Sequence, residues 1–368
     1  MNLYLLILLV FVSLAKGQEN CFNQEVLERL KSIVKENYLW ADRLQDYNWK
    51  SYEDFIKALR SIGDRWSAIT KLSEDRLWYS SSKMLGLGIR WDDQGYIVRV
   101  FKDSPAERAG LREGDLILYI NGVSDKSLWR KVISETPQGM PVKVDIIREG
   151  LPLGVEVVKG EFTVPAVEEV KVLELLGRKV GYVHISNFTQ PAYEGFASAL
   201  EEFKQKNIDL LIIDLRYNGG GLISVAKSML DLLVGGEGVM FYLEGRGKNH
   251  GVYTFKNKEG FKKPIVVVVN RQTASSAELF ASLLRRYAGA LIVGEKTTGK
   301  YVGSNIYKLD ECGNVLRLIT FEMKLPDGSL VFTQDAIKPD CNGGQKAIED
   351  ALACLREKSP QPTPAESP

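Results

Sequence analysis

Apolar residues at Phe22, Val26, Leu30, Ile33, Val34 and Tyr38, and again at Phe55, Leu59 and Ile62, recur every three or four positions. This spacing predicts amphipathic helices and a small helical domain over 18–83. From Leu85 the period shortens: Gly-Leu-Gly-Ile is followed by the alternating YIVRVF, then SPAERAGLREGDLILYINGV and VKVDIIREG. These read as short strands, one short helix and tight turns over 84–160. Ser104-Pro105 opens the helix, Gly110 closes it, Gly114-Asp115 turns the chain into LILYI, and Asn121-Gly122 is a hairpin signal. Beyond Gly160, the runs VGYVHIS, LLIIDL, PIVVVVN and ALIVG alternate with helices expected over 192–206, 222–233 and 277–287. Uninterrupted β-branched runs between amphipathic helices imply a sheet covered by helices, here over 161–355. The final 356–368, ending in SPQPTPAESP, is Pro- and Ser-rich and is expected to be disordered. The fold class is therefore multidomain, α+β and α/β.

The first residues change this picture in one respect. The uncharged apolar run 3–15 is shorter than the ~20 residues that span a bilayer and ends in the small residues Ala15 and Gly17, so 1–17 reads as an export signal. Its start lacks Lys and Arg, so membrane attachment follows if the leader is retained. Export, to the periplasm or the extracellular space, would place Cys21, Cys312, Cys341 and Cys354 in an oxidising compartment, with three pairings open. Composition is that of a globular chain: 368 residues with 45% hydrophobic and 26% charged exclude disorder as the general state. A net charge of +1 without a basic run leaves no footprint for nucleic acid. The two histidines, His184 and His250, lack neighbours at ligand spacing, so no metal or other cofactor is expected.

Chemistry without histidine needs another base. Ser275 and Ser276 lie where the strand PIVVVVN hands over to a helix, beside free N–H groups that favour negative charge. Capping that helix is the plain alternative role for either serine. Asp214-Leu215-Arg216-Tyr217-Asn218-Gly219-Gly220-Gly221 ends another apolar strand, and its glycines let backbone amides approach a ligand. No P-loop or GxGxxG accompanies them, so an oxyanion fits better than a nucleotide. The loop Gly294-Glu295-Lys296-Thr297-Thr298-Gly299-Lys300 supplies two lysines. A lysine in an apolar pocket loses its proton readily and can activate a serine.

Taken in order, GLGI, SPAERAGLREGDLILYINGV, DLRYNGGG, TASSAE, GEKTTGK, LPDGS and IKPD resemble the carboxyl-terminal processing (tail-specific) proteases, as does the turn Asp64-Arg65-Trp66-Ser67. These are Ser-Lys endopeptidases that carry a PDZ domain. The resemblance runs over about 22–355 and implies a protease core of the crotonase or Clp-protease kind. It assigns Ser275 as nucleophile, with Glu278 as its anchor, and Lys300 as base; Ser276 or Lys296 would break the register. Ser276-Ala277 stands where the family has Ala-Ser. The family's auxiliary Gln falls on Ser304, a shorter side chain. Backbone amides of Ser276 and of Gly219 or Gly220 are the expected oxyanion donors. Leu85, Gly86, Leu87, Gly88 and Ile89 match the loop that captures a peptide C-terminus. The function implied is an exported endopeptidase that cleaves proteins with free, unstructured C-termini through an acyl-enzyme, with a regulatory or adaptor protein as a further partner. The alternatives are a catalytically silent PDZ adaptor on the same fold and a crotonase-like acyl-CoA enzyme, which would need neither the leader nor the PDZ-like segment.

Overall fold

A computed structural model of the chain describes residues 21–175, 177–343 and 346–358. The leader expected over 1–17 and all but the first three residues of the expected tail lie outside them. Contacts divide the chain into two compact units, one comprising the described residues through Asp75 together with Val167–Phe188 and those from Tyr193 on, the other Arg76–Ala166 with Thr189–Ala192.

The first unit begins with helix α1 (Gln24–Asn37), capped by the Asn23 side chain on Val26 N, and α2 (Tyr52–Ser61), capped by Ser51 on Asp54 N. Strand β1 (Ala68–Lys71) follows, and α3 (Leu72–Ser81) carries the chain onward. The helices do not close a core of their own, as the expectation of a separate domain over 18–83 required. Leu30 and Val34 of α1, Tyr38 just after it, and Phe55 and Leu59 of α2 instead share one cluster with Val302, Leu316, Leu318 and Ile319. Two short helices cannot bury enough apolar surface alone, and strands from the far end of the chain supply the rest.

The second unit holds β2 (Lys83–Gly86), β3 (Ile89–Trp91), β4 (Ile97–Val100), α4 (Pro105–Arg108), β5 (Leu116–Ile120), α5 (Lys126–Glu135), β6 (Pro141–Arg148), β7 (Leu151–Val158) and β8 (Gly160–Thr163). Ser104 caps α4 on Glu107 N and Gly110 leaves it at φ +81°, as its residue types predict. Asn121 and Gly122 are both left-handed, but they close only an isolated bridge between Ile120 and Val123. The hairpin signal fails beyond that point because Asp125 caps α5, and the ladder partner of β5 is β6, reached after the helix.

The first unit resumes with β9 (Val167–Leu175), β10 (Arg178–Ile185), α6 (Pro191–Gln205), β11 (Leu210–Asp214), α7 (Ile223–Leu233), β12 (Gly236–Gly245), β13 (Gly251–Asn257), β14 (Ile265–Val269), α8 (Ser276–Ala288) and β15 (Leu291–Gly294). It ends with β16 (Val302–Lys308), β17 (Asn314–Lys324), β18 (Cys341–Asn342) and α9 (Ala347–Lys358). A six-stranded sheet runs β18-β15-β14-β11-β10-β9, with every neighbour parallel except the antiparallel β9. Val180, Tyr182, Leu210, Ile212, Val266, Val268 and Val293 pack on α9, while the alternate residues of β11 and β14 are equally buried on the other face. Burial on both faces is why these strands read as unbroken apolar runs. A second sheet joins β1, β17, β12 and β13, with β16 beside β17. Helix α9 reaches Lys358, so Arg356–Lys358 belong to a helix and not to a disordered tail. Of the three cysteine pairings left open, the structure takes Cys21–Cys312 and Cys341–Cys354.

Because α1 and β16–β17 share a core, Leu30→Ala should cost about 2–5 kcal/mol. Amide exchange should rise in β16 and β17 as well as in α1. Exchange confined to α1 would show that the helices fold independently.

Candidate active site

The candidate residues meet where two parallel neighbours, β11 and β14, end side by side. After β14 the chain turns through Asn270–Ala274. The Asn270 Oδ1 accepts from Tyr217 N at 3.0 Å and the Thr273 hydroxyl donates to Leu215 O at 2.9 Å, which ties this turn to the one after β11. Asn218, fully buried, completes the tie: its Nδ2 donates to Ile185 O, its Oδ1 accepts from Gly220 N at 2.8 Å and its carbonyl accepts from Ala274 N at 2.9 Å.

Ser275 then sits at φ 57°, ψ −122°, a conformation that costs a non-glycine residue of order 1–3 kcal/mol and turns it sharply into α8. Gly220 lies against it. A Cβ on Gly220 would stand 2.9 Å from Ser275 Cβ and 3.0 Å from Ser276 N, at a φ of +99°. Only glycine fits there. Two amides beside Ser275 have no acceptor among the described residues: Ser276 N, the first of α8, and Gly219 N on the exposed rim of the turn. The Gly220 amide is spent on Asn218, so of the two glycines expected as oxyanion donors the free one is Gly219. The Ser276 hydroxyl is buried and donates to Gly221 O at 2.9 Å, a structural bond.

Glu278, fully buried on the first turn of α8, joins this serine to the lysine loop. Its carboxylate accepts from Ser275 N at 2.8 Å, Gly299 N at 2.7 Å, Lys300 N at 2.9 Å and the Thr297 hydroxyl. Burial pushes this carboxyl up from its ordinary range, and the four donors oppose that by favouring the anion. Gly299 is at φ +80°, and a Cβ there would lie 2.5 Å from Gln334 O.

Lys300 is thus fixed at its backbone, while its Nζ lies over the Trp66 ring, 5.3 Å from the centroid. It makes no hydrogen bond to the Ser275 hydroxyl. Burial, and next the nearby Arg317 guanidinium, hold its pKa below the ordinary lysine value, with Asp64 and Glu278 opposing. Lys296, by contrast, is exposed. Ser304 sits at a bulge in β16, and its hydroxyl reaches no partner among the described residues, so nothing here links it to Lys300.

The site lies at the carboxyl ends of parallel strands, where a helix N-terminus and two open amides face a strained serine. Residues 179–342, which hold all of it but Trp66, match the sequence profile of peptidase family S41. The chain carries an S41 peptidase domain. Residues 96–127 match a PDZ domain. Family S41 is a family of serine peptidases. The chain is 31% identical over 244 residues to the carboxyl-terminal-processing protease of Synechocystis, covering 63% of this chain and 56% of that one. It is 30% identical over 261 residues to the carboxy-terminal-processing protease of Bartonella bacilliformis, covering 67% and 58%. It therefore spans a little over half the length of these curated relatives. The fold is similar to that of the Photosystem II D1 C-terminal processing protease, with a TM-score of 0.62 at 21% identity over 90% of this chain and 97% of that one. A Bacteroides fragilis S41 protease candidate gives 0.66 at 20% identity over 89% and 97%. The S41 fold and the PDZ domain agree with the fold class expected from sequence.

In the PDZ-containing unit, Leu85 and Gly86 end β2, Leu87 and Gly88 form the loop, and Ile89 begins β3. The Leu87 and Gly88 carbonyls accept from Ala106 N and Phe101 N, while their own amides have no acceptor among the described residues. Gly88, at φ +83°, has the Ser104 side chain where its Cβ would be. Sequence reasoning named neither Asn218 as the tie between turns nor Trp66 and Arg317 as surroundings of Lys300, since no local pattern brings them together.

Glu278→Ala removes the one acceptor for three amides and a hydroxyl, and should lower stability on the order of 3 kcal/mol. Exchange of the amides of Ser275, Gly299 and Lys300 should accelerate together. Unchanged exchange at Gly299 and Lys300 would show that the loop is held by other means.

Proposed function

We propose that the chain is an exported serine endopeptidase that takes up unstructured C-terminal tails on its PDZ domain and cleaves them with Ser275 and Lys300. The observation that carries this reading is the Glu278 carboxylate, which braces the backbone of both residues at once. The neutral Lys300 amine, its tip against the Trp66 ring and brought within hydrogen-bonding reach of Oγ in the reacting complex, takes the Ser275 hydroxyl proton as Oγ attacks the scissile carbonyl. The oxyanion so formed accepts from Ser276 N and Gly219 N. The lysine ammonium then protonates the leaving amine, the C–N bond breaks, and an ester on Ser275 remains. Water, giving a proton to the Lys300 amine, attacks the ester, and the lysine ammonium returns that proton to Ser275 Oγ as the carboxylic product leaves.

Three observations support the rest. The free amides of Leu87 and Gly88 suit a terminal carboxylate, and β3 pairs with β4 alone among the described strands, which leaves an edge for an added strand. Both cysteine pairs are disulfides, a state that persists outside the cytosol and accords with export.

Ser275→Ala and Lys300→Arg should abolish cleavage of a denatured protein in a gel assay, the latter because a guanidinium does not deprotonate. Ser276→Ala and Lys296→Ala should keep most of it. For the wild type, kcat/KM should rise with pH, its midpoint below the ordinary lysine value, because the base works as the neutral amine and its pKa is depressed. A histidine-like midpoint in the Lys300→Arg variant would sink the dyad.

A peptide with a free C-terminus should be cleaved with higher kcat/KM than the same peptide amidated, at subsaturating concentration. Equal values would show that the PDZ domain does not read the terminal carboxylate.

A further inference from the structure

The Lys300 amine has no hydrogen-bond acceptor and no ion pair among the described residues; what it touches is the face of Trp66. Ser304, where the resemblance calls for a glutamine, offers it nothing. The turn that carries the indole is held from several sides. Asp64, fully buried, accepts from Trp66 N at 2.8 Å, Ser67 N at 2.9 Å and the Tyr38 hydroxyl at 3.0 Å. Ser67 Oγ accepts from Ile319 N at 3.0 Å, and Arg60 donates to Ser67 O at 2.9 Å. A ring mounted this firmly is placed, not merely packed.

We propose that Trp66 is a positioning residue for Lys300, its indole face holding the positive charge that the amine acquires when it takes the Ser275 proton. The proposal rests on the Ser275–Lys300 reading. Before proton transfer the amine is neutral and gains little from the ring; afterwards it is a cation, and the electron-rich face attracts it. The stabilisation is therefore weighted to the transition state, where it raises the rate. The charged groups around the amine leave room for such a partner. Arg317 on β17, fixed by its pair with Asp75, repels the ammonium. Asp64 and Glu278 attract it, but each carboxylate is already engaged by its own donors. Arg65 stacks over the same ring at 4.6 Å. An aromatic face steadies the ammonium without the full negative charge that would keep the resting amine protonated.

Fluorinated tryptophans placed at position 66 by nonsense suppression keep ring size and burial while weakening the electron-rich face. From tryptophan to the trifluoro analogue, kcat on an unstructured peptide should fall stepwise, about three- to tenfold in all, with KM little changed. The midpoint of the rise in kcat/KM should move to lower pH, because the protonated form loses its partner. Trp66→Phe, with a weaker face, should fall within the series. If the ring serves only to exclude water, the fluorinated series will be flat, and that overturns the proposal. An increase in kcat on fluorination would mean that the ring parks the lysine away from Ser275, and overturns it as well. Lys300→Ala separates the two levels: turnover retained there refutes the dyad itself. Turnover lost there with a flat fluorination series refutes only the role of Trp66.

Discussion

A single buried carboxylate governs the geometry of the site. Glu278 lies in the first turn of α8, out of reach of water, and an anion there is tolerable only if donors surround it. Four do, and they come from two places in the chain: the Ser275 amide from the start of its own helix, and Thr297, Gly299 and Lys300 from the loop after β15. The cost of burying the charge is thereby converted into a constraint on that loop. The left-handed Ser275 is part of the same bargain, since its strained backbone aims its amide at the carboxylate.

Around this anchor the rigid and the adjustable parts are separate. The backbone of both turns is locked by Asn218, Asn270 and Thr273, all three buried. Gly220 lets the turns approach until no Cβ fits between them, and Gly219, one residue earlier, keeps its amide open. Lys300 has the opposite character. Its backbone is fixed, while its long side chain carries no hydrogen bond at the tip among the described residues and lies over the Trp66 face. Under the proposed mechanism, fixed donors beside an amine with an unbonded tip let one lysine serve both a hydroxyl and a leaving amine.

The N-terminal helices belong to this machinery. The Asp64–Ser67 turn hangs on Tyr38, at the end of α1, and on Ile319 of β17, and α1 and α2 pack on β16 and β17. The Cys21–Cys312 disulfide clamps this arrangement from outside by joining the start of α1 to the loop before β17. The surroundings of Lys300 are thus assembled from residues more than two hundred positions apart.

Much of this was legible in the chain as written. The apolar runs of β11 and β14, the cap at Ser104, the helix beginning after Ser275 and the glycines after Asp214 all follow from local rules, because propensity, capping and left-handed φ are decided within a few residues. The order of motifs singled out Ser275 over Ser276 and Lys300 over Lys296; in the folded chain the Ser276 hydroxyl is buried on Gly221 O and Lys296 is exposed. What local rules could not reach was set by tertiary contact. Only folding spends the Gly220 amide on Asn218 and leaves Gly219 free, selects one of the three possible cysteine connectivities, merges α1 and α2 into a core with β16 and β17, and lays Trp66 under Lys300. Each of these depends on which distant segments meet, and that is settled by burial of the whole apolar surface at once, a quantity no window of sequence contains.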